Sequence, residues 1–252
     1  LGIGTSNSRV AVTAGSSAHV AASKVRDKAL RIASHLLESA EQDLEIVGSE
    51  IRVTGVPDLS VTLSDVANAV AGTPGYTLPG GIEPGLEATE HLVLDSMAFA
   101  NGSGVAEVEV DVETGQVTIL NYVLAHDSGT IINPLMVDGQ AFGGAAHGIG
   151  NALFERMEYD QDGQPMTTTL AEYLLVTAPE MPRIELLHLE SPSPLNPIGV
   201  KGVGECGVVP APAAIVSAIE DALSPFAVHV VRAPISPPEI VALIESARTQ
   251  AD

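Results

Sequence analysis

Residues 135–156 repeat apolar and small side chains at helical spacing, yet they include Gly139, Gly143, Gly144, Gly148 and Gly150 with Ala145 and Ala146. Each glycine inside a helix costs about 0.5–1 kcal/mol relative to alanine. A helix that keeps several must gain by letting something approach its backbone closely. The rest of the chain agrees: it holds 24 Gly, 3% aromatic residues and no Trp. Its core must therefore be made of Val, Ile, Leu and Ala with close backbone contacts. At 252 residues, 45% hydrophobic and 17% charged, the chain can bury one large or two modest cores, and wholesale disorder is not expected.

The pattern along the chain predicts an α+β fold of mixed sheets with packed helices, in two lobes, 1–78 and 79–252. Residues 1–14 read as a loop with a short strand, and 15–39 as an amphipathic helix. Leu44–Val47 and Ile51–Thr54 flank a Gly48-Ser49-Glu50 turn and predict a hairpin. Ser64 is the expected cap of a short helix ending at Val70. Residues 72–92 carry turn signals at Pro79-Gly80-Gly81 and Pro84-Gly85 and place the lobe boundary. Residues 105–112 and 116–125 predict two antiparallel strands around Thr114-Gly115. Beyond the glycine-rich helix, the Asp162-Gly163 turn separates two strand-like runs. Then come a strand at 184–189, a Ser/Pro/Gly loop at 191–212, a helix at 213–223, a strand at 227–231 and a helix at 239–248.

The formal net charge is −21, from 11 basic and 32 acidic residues. That balance excludes a basic nucleic-acid footprint and a polybasic membrane anchor; its simplest consequence is solubility. Cys206 is the single cysteine, which excludes an internal disulfide and a cysteine-held iron–sulfur cluster. No apolar run reaches the ~20 residues a membrane helix needs. These features give the expectation of a cytoplasmic protein. The chain opens on Leu1, so a fragment, a processed product and one piece of a split subunit all stand as expectations.

Three stretches carry chemistry. Gly199-Val200-Lys201-Gly202-Val203-Gly204-Glu205-Cys206-Gly207, followed by Pro210-Ala211-Pro212, surrounds one carboxylate with four glycines. Glycine lets the backbone approach a ligand. A carboxylate buried there would have a raised pKa, suited to a general base. A helix-capping carboxylate on a tight turn fits the same residues. Asp127-Ser128-Gly129, Asn133-Pro134 and Asp138-Gly139-Gln140 lead into the glycine-rich helix. Gln140 can both donate and accept hydrogen bonds, for a ligand or as an ordinary surface amide. Gly4-Thr5-Ser6-Asn7-Ser8-Arg9 is a hydroxyl-rich loop near a helix start, able to cradle an anion.

Taken together, the runs 4–33, 127–150 and 191–223 resemble, in the same order, the C-terminal part of the molybdopterin-binding large subunit of molybdenum hydroxylases. That family holds the xanthine dehydrogenases, aldehyde oxidoreductases and aerobic carbon monoxide dehydrogenases, and the bacterial carbon monoxide dehydrogenase-like branch is the most similar. The resemblance implies that Glu205 is the base that activates the metal-bound hydroxyl. It implies that Gln140 lies beside an oxo ligand of the metal, and that Ser8, Arg9, Val10, Ala11 and Gly204 contact the cofactor. Molybdenum would be held by the pterin dithiolene and by no protein side chain, in a molybdopterin cytosine dinucleotide.

The resemblance also implies an enzyme in which this chain supplies part of the active site. The reaction would be oxidative hydroxylation, with oxygen from water, of an aldehyde, an N-heterocycle or a similar small substrate, or oxidation of carbon monoxide. Expected partners are the N-terminal part of the molybdenum subunit, an iron–sulfur subunit and an FAD subunit, in a dimer of hetero-oligomers. A non-catalytic structural subunit is the alternative. Two positions depart from the family pattern. His147 stands where many relatives carry Gln and is read first as a core histidine. Cys206 is read as a small packing residue. His126 beside Asp127 is not read as a catalytic dyad, because no nucleophile accompanies the pair.

Overall fold

The computed structural model describes residues 4–72, 78 and 80–251. It divides into two compact units, Thr13–Val93 on the one hand and Leu1–Val12 with Leu94–Asp252 on the other. The opening loop thus groups with the later residues. Pro79, where the sequence places the lobe boundary and a turn, lies outside the described residues.

In the Thr13–Val93 unit, helix α1 (Ser16–Leu37) stops where Glu38 turns left-handed at φ 50° and its N–H bonds the Ser34 carbonyl. The strand expected within residues 1–14 is absent among the described residues, because the backbone is already helical from Val10. The expected hairpin is present as β1 (Leu44–Val47) and β2 (Glu50–Val53), and β3 (Val56–Thr62) extends it to three antiparallel strands. Helix α2 (Leu63–Ala69) is capped by Thr62 and not by Ser64. Thr62 Oγ1 accepts the Asp65 N–H at 3.1 Å, while the Asp65 carboxylate accepts the Thr62 N–H at 3.0 Å. A reciprocal box satisfies two helix-end donors at once. That is why the cap sits two residues earlier than expected. Ala29, Ile32 and Ala33 of α1 meet Leu44, Ile51, Val66 and Val70 in a small core.

The other unit is built on β4 (Asn101–Val110), β5 (Val117–Asp127) and β6 (Arg183–Leu189). β4 runs antiparallel to β5, and β6 lies parallel to β5 with His188 opposite His126. Helix α3 (Pro134–Leu153) starts on Asn133, whose side chain accepts the Met136 N–H. Helix α4 (Ala211–Ala222) packs on β4 and α3, and α5 (Pro237–Ala251) closes the chain. Leu124, Ala141, Ala145, Ile149, Ile215, Ile219, Ile240 and Ile244 form the aliphatic core expected from the composition, with the aromatic Tyr122 buried among them.

Two strand expectations fail here. Around Asp162-Gly163 the chain forms a turn, in which Asp160 accepts the Asp162 and Gln164 N–H groups, and a lone bridge from Tyr159 to Pro165. Residues 227–231 form no strand, because Ala227 is left-handed at φ 51° after a short turn. Val228 nevertheless reaches the core. A short apolar run records burial but does not record whether a pairing edge lies beside it.

Candidate functional site

Three loops converge at one cavity of about 590 Å³. It is lined by Ser8 of the opening loop and Val10 and Ala11 of the helical turn that follows it, by Ser128, Thr130, Asn133 and Gln140 around the start of α3, and by Lys201, Gly204 and Glu205. The Ser8 hydroxyl donates to Glu205 Oε2 at 3.0 Å. A Cβ built on Gly204 would lie 3.1 Å from Ser8 Oγ and 3.4 Å from Gln140 Oε1. Ser8, Gln140 and Glu205, scattered over the sequence, therefore meet around a hollow that a side chain at 204 would fill. Arg9 is not among the lining residues; its guanidinium donates to Ser6 Oγ at 3.3 Å. Asn7 and Ser8 are both left-handed, at φ 55° and 50°. Such backbone persists only where its surroundings hold it, and the Ser8–Glu205 bond is one such hold.

The Glu205 loop is fixed by a polar knot at its root. Asp127, at the end of β5, accepts the Gly129 N–H at 2.9 Å, the Ser191 N–H at 3.1 Å and Lys201 Nζ at 2.8 Å. Burial alone would raise its pKa. The hydrogen bonds from Lys201, Gly129 and Ser191 outweigh that and hold the carboxyl well below the usual range. Asn196 clasps Val200 twice, donating to its carbonyl at 2.8 Å and accepting its N–H at 3.1 Å. Ser128 O accepts the Lys201 N–H at 2.8 Å. The sequence contained this knot only as a lone Lys in a glycine run and an Asp at a strand end. Nothing in the spacing tied position 127 to position 201.

The glycines of the loop mostly touch protein. A Cβ on Gly202 would press on Ser8 at 2.7 Å, and one on Gly207 would meet Ala141 O at 2.5 Å and Ala145 N at 2.6 Å on α3. Gly144 faces Gly207 in return, whereas Gly139 and Gly143 have nothing within 4 Å. Of the close approaches inferred from the small-residue helix, some are therefore to this loop.

Glu205 is exposed, so the burial expected of a carboxylate in this glycine run is not found. It is not a helix cap either, since α4 has no side-chain cap. It also borders a second hollow of about 460 Å³ with Met97, Phe99, Cys206 and Val209. Cys206 is buried and its thiol is pushed up to about 11 by that burial, which suits a packing residue. His147 is exposed, which overturns its reading as a core histidine. His126 is buried, but its Nδ1 lies 3.0 Å from Ser128 Oγ, while Asp127 pairs with Lys201. The pair forms no dyad.

A family model described as a molybdopterin cofactor-binding domain matches residues 1–182. The nicotine 6-hydroxylase large subunit of Paenarthrobacter nicotinovorans is 40% identical over 240 residues, covering 95% of this chain and 29% of that protein. The carbon monoxide dehydrogenase large chain of Afipia carboxidovorans is 36% identical over 221 residues, covering 88% of this chain and 27% of that one. The crystal structure of quinoline 2-oxidoreductase from Pseudomonas putida 86 superposes with a TM-score of 0.87 at 40% identity, covering 97% of this chain and 31% of that chain. This chain thus spans less than a third of the length of these relatives. Sequence and fold agree on the point that the three converging loops raise: the chain belongs to the molybdopterin cofactor-binding family of molybdenum hydroxylase large subunits.

Proposed function

We propose that this chain supplies one wall of the cofactor site and the general base of a molybdenum-dependent hydroxylase. The observation that carries the reading is the meeting of Glu205, Ser8 and Gln140 around the hollow beside Gly204. The lining suits a pterin. Its hydroxyls and amides can both donate and accept, as a fused heterocycle with N–H and carbonyl edges requires. Its volume of about 590 Å³ falls within the range of ligand pockets.

Ser8, Val10, Ala11, Gln140 and Gly204 would hold the cofactor, with Arg9 supporting the loop through Ser6. The bound group, a molybdopterin cytosine dinucleotide, would supply the redox change and the oxygen drawn from water. Glu205 would accept the proton released as that oxygen attacks carbon, at Oε1, while Ser8 steadies Oε2. Gln140 would orient the reacting face by hydrogen bonding. The substrate is an aldehyde, an N-heterocycle, a similar small molecule or carbon monoxide. The N-terminal part of the subunit would complete the pocket. Iron–sulfur and FAD subunits would carry the electrons away, in a cytoplasmic dimer of hetero-oligomers. None of the described helices is long and apolar enough to cross a membrane.

Glu205→Gln keeps the shape and removes the basic oxygen. In the assembled enzyme, molybdenum content should stay near wild type while turnover is abolished. Substantial remaining activity refutes the general-base role.

A further inference from the structure

Ser8 and Glu205 line both the 590 Å³ cavity and the 460 Å³ hollow. Their hydrogen bond at 3.0 Å therefore lies on the wall that the two spaces share. The linings differ. Lys201 and Gln140 belong to the larger space, whereas Glu205 is the only residue lining the smaller one that is charged at neutral pH. Met97, Phe99 and Val209 of the smaller hollow are 43%, 71% and 74% exposed. At that exposure, most of the surface Phe99 and Val209 present is hydrocarbon side chain. One exposed apolar residue needs no explanation. Three around one hollow that also holds a carboxylate mark a place for an apolar molecule. The volume of about 460 Å³ falls in the range of roughly 300–1,000 Å³ typical of pockets for ring-sized ligands. It is far more than a diatomic gas needs.

We propose that this hollow receives the uncharged, ring-sized apolar body of the substrate, with Met97, Phe99 and Val209 as specificity-determining residues. The assignment rests on Glu205 being the base and on the larger cavity holding the cofactor. A base must stand within hydrogen-bond reach of the proton it accepts. A substrate that reacts beside the cofactor therefore lies against Glu205, and the hollow of Met97, Phe99 and Val209 is space on that carboxylate's border. The lining narrows the substrate class. Carbon monoxide is too small to use this wall. A molecule that turns a carboxylate toward Glu205 meets a like charge. An uncharged aromatic aldehyde or N-heterocycle meets hydrocarbon and gains by leaving water.

The assembled molybdenum enzyme is dialysed to equilibrium at pH 8, without an electron acceptor, against indole acetamide or indole acetate. The two probes share a shape and differ by one negative charge. Wild type should bind the amide about tenfold more tightly than the anion, the scale of one like-charge contact beside a partly solvated carboxylate. Phe99→Ala should weaken the amide about tenfold, the scale on which apolar pockets discriminate, and Val209→Ala should weaken it in the same direction. Glu205→Gln should bring the anion up toward the amide. Amide binding that is absent, or equal in wild type and both alanine variants, overturns the inference and leaves the proposed function standing. So does a charge gap unchanged in Glu205→Gln. Phe99 and Val209 are exposed in this chain, so an alanine variant that fails to assemble would show another polypeptide seated on this wall, which also overturns the inference. Substantial turnover by Glu205→Gln refutes the base itself, and the inference then falls with the proposed function whatever the probes do.

Discussion

Removing the Asp127 carboxylate should loosen the Glu205 loop far more than a surface ion pair would predict. The side chains of Asp127 and Lys201 are 11% and 13% exposed. Asp127→Ala strands the Lys201 ammonium in that setting and orphans the Gly129 and Ser191 N–H groups. Exposed pairs contribute about 0–1 kcal/mol, but stranding one partner of a buried pair costs about 3–5 kcal/mol. Hydrogen exchange measured by mass spectrometry reads such local opening directly. At about 1.4 kcal/mol per tenfold, exchange in peptides covering 126–131 and 198–207 should quicken by two to three orders of magnitude, while peptides from Thr13–Val93 stay unchanged. The double variant Asp127→Leu with Lys201→Met removes the orphan charge and should recover much of the loss. A change below tenfold in the single variant, or a double variant that opens faster than the single, would show that the pair does not hold the loop.

Three further outcomes follow from the same structure. Gly207→Ala forces a methyl against the α3 backbone at 2.5–2.6 Å, which should cost about 1–3 kcal/mol and reduce turnover by moving Glu205. Gly139→Ala, with nothing within 4 Å, should be neutral or stabilising by up to about 1 kcal/mol in thermal unfolding of the same enzyme. Glu239 accepts the Ser236 N–H at 2.9 Å and is paired with Arg156, and these contacts depress its pKa to about 2 despite partial burial. A depressed carboxyl stabilises the fold fully above its unfolded pKa near ~4.3, and that stability is lost as pH falls toward 2. Unfolding curves of wild type and Glu239→Gln should therefore differ above pH 5 and converge between pH 4.5 and pH 2; a gap that stays constant counts against the linkage.

Periodicity made the helices legible. The patterns at 15–39, 135–156 and 213–223 are observed as Ser16–Leu37, Pro134–Leu153 and Ala211–Ala222. Strands were legible where a turn joined two partners, as at Thr114-Gly115, and at 184–189, observed as Arg183–Leu189. The parallel pairing of β5 with β6 joins segments more than fifty residues apart, and no local signal encodes it. The third strand β3 was missed because Val56-Pro57-Asp58 breaks the alternation that marks a strand. Of the site, the Glu205 run was visible as glycines around a carboxylate, and Ser8 and Gln140 through family resemblance. Lys201 with Asp127 and Ser128 with His126 were not, because each depends on a contact made by tertiary folding.

The glycines bear on how the site is prepared for its ligand. From the sequence they suggested a backbone that a ligand approaches closely. In the structure Gly202 abuts Ser8, Gly207 abuts α3, and only Gly204 among these three borders the hollow between Ser8 and Gln140. Together with the Asp127 knot and the Asn196 clasp, these contacts fix the Glu205 segment against the fold itself. A side chain positioned by protein contacts is in place before a ligand arrives, and little ordering cost then falls on binding. The relation between Glu205 and Gln140 is then a property of this chain.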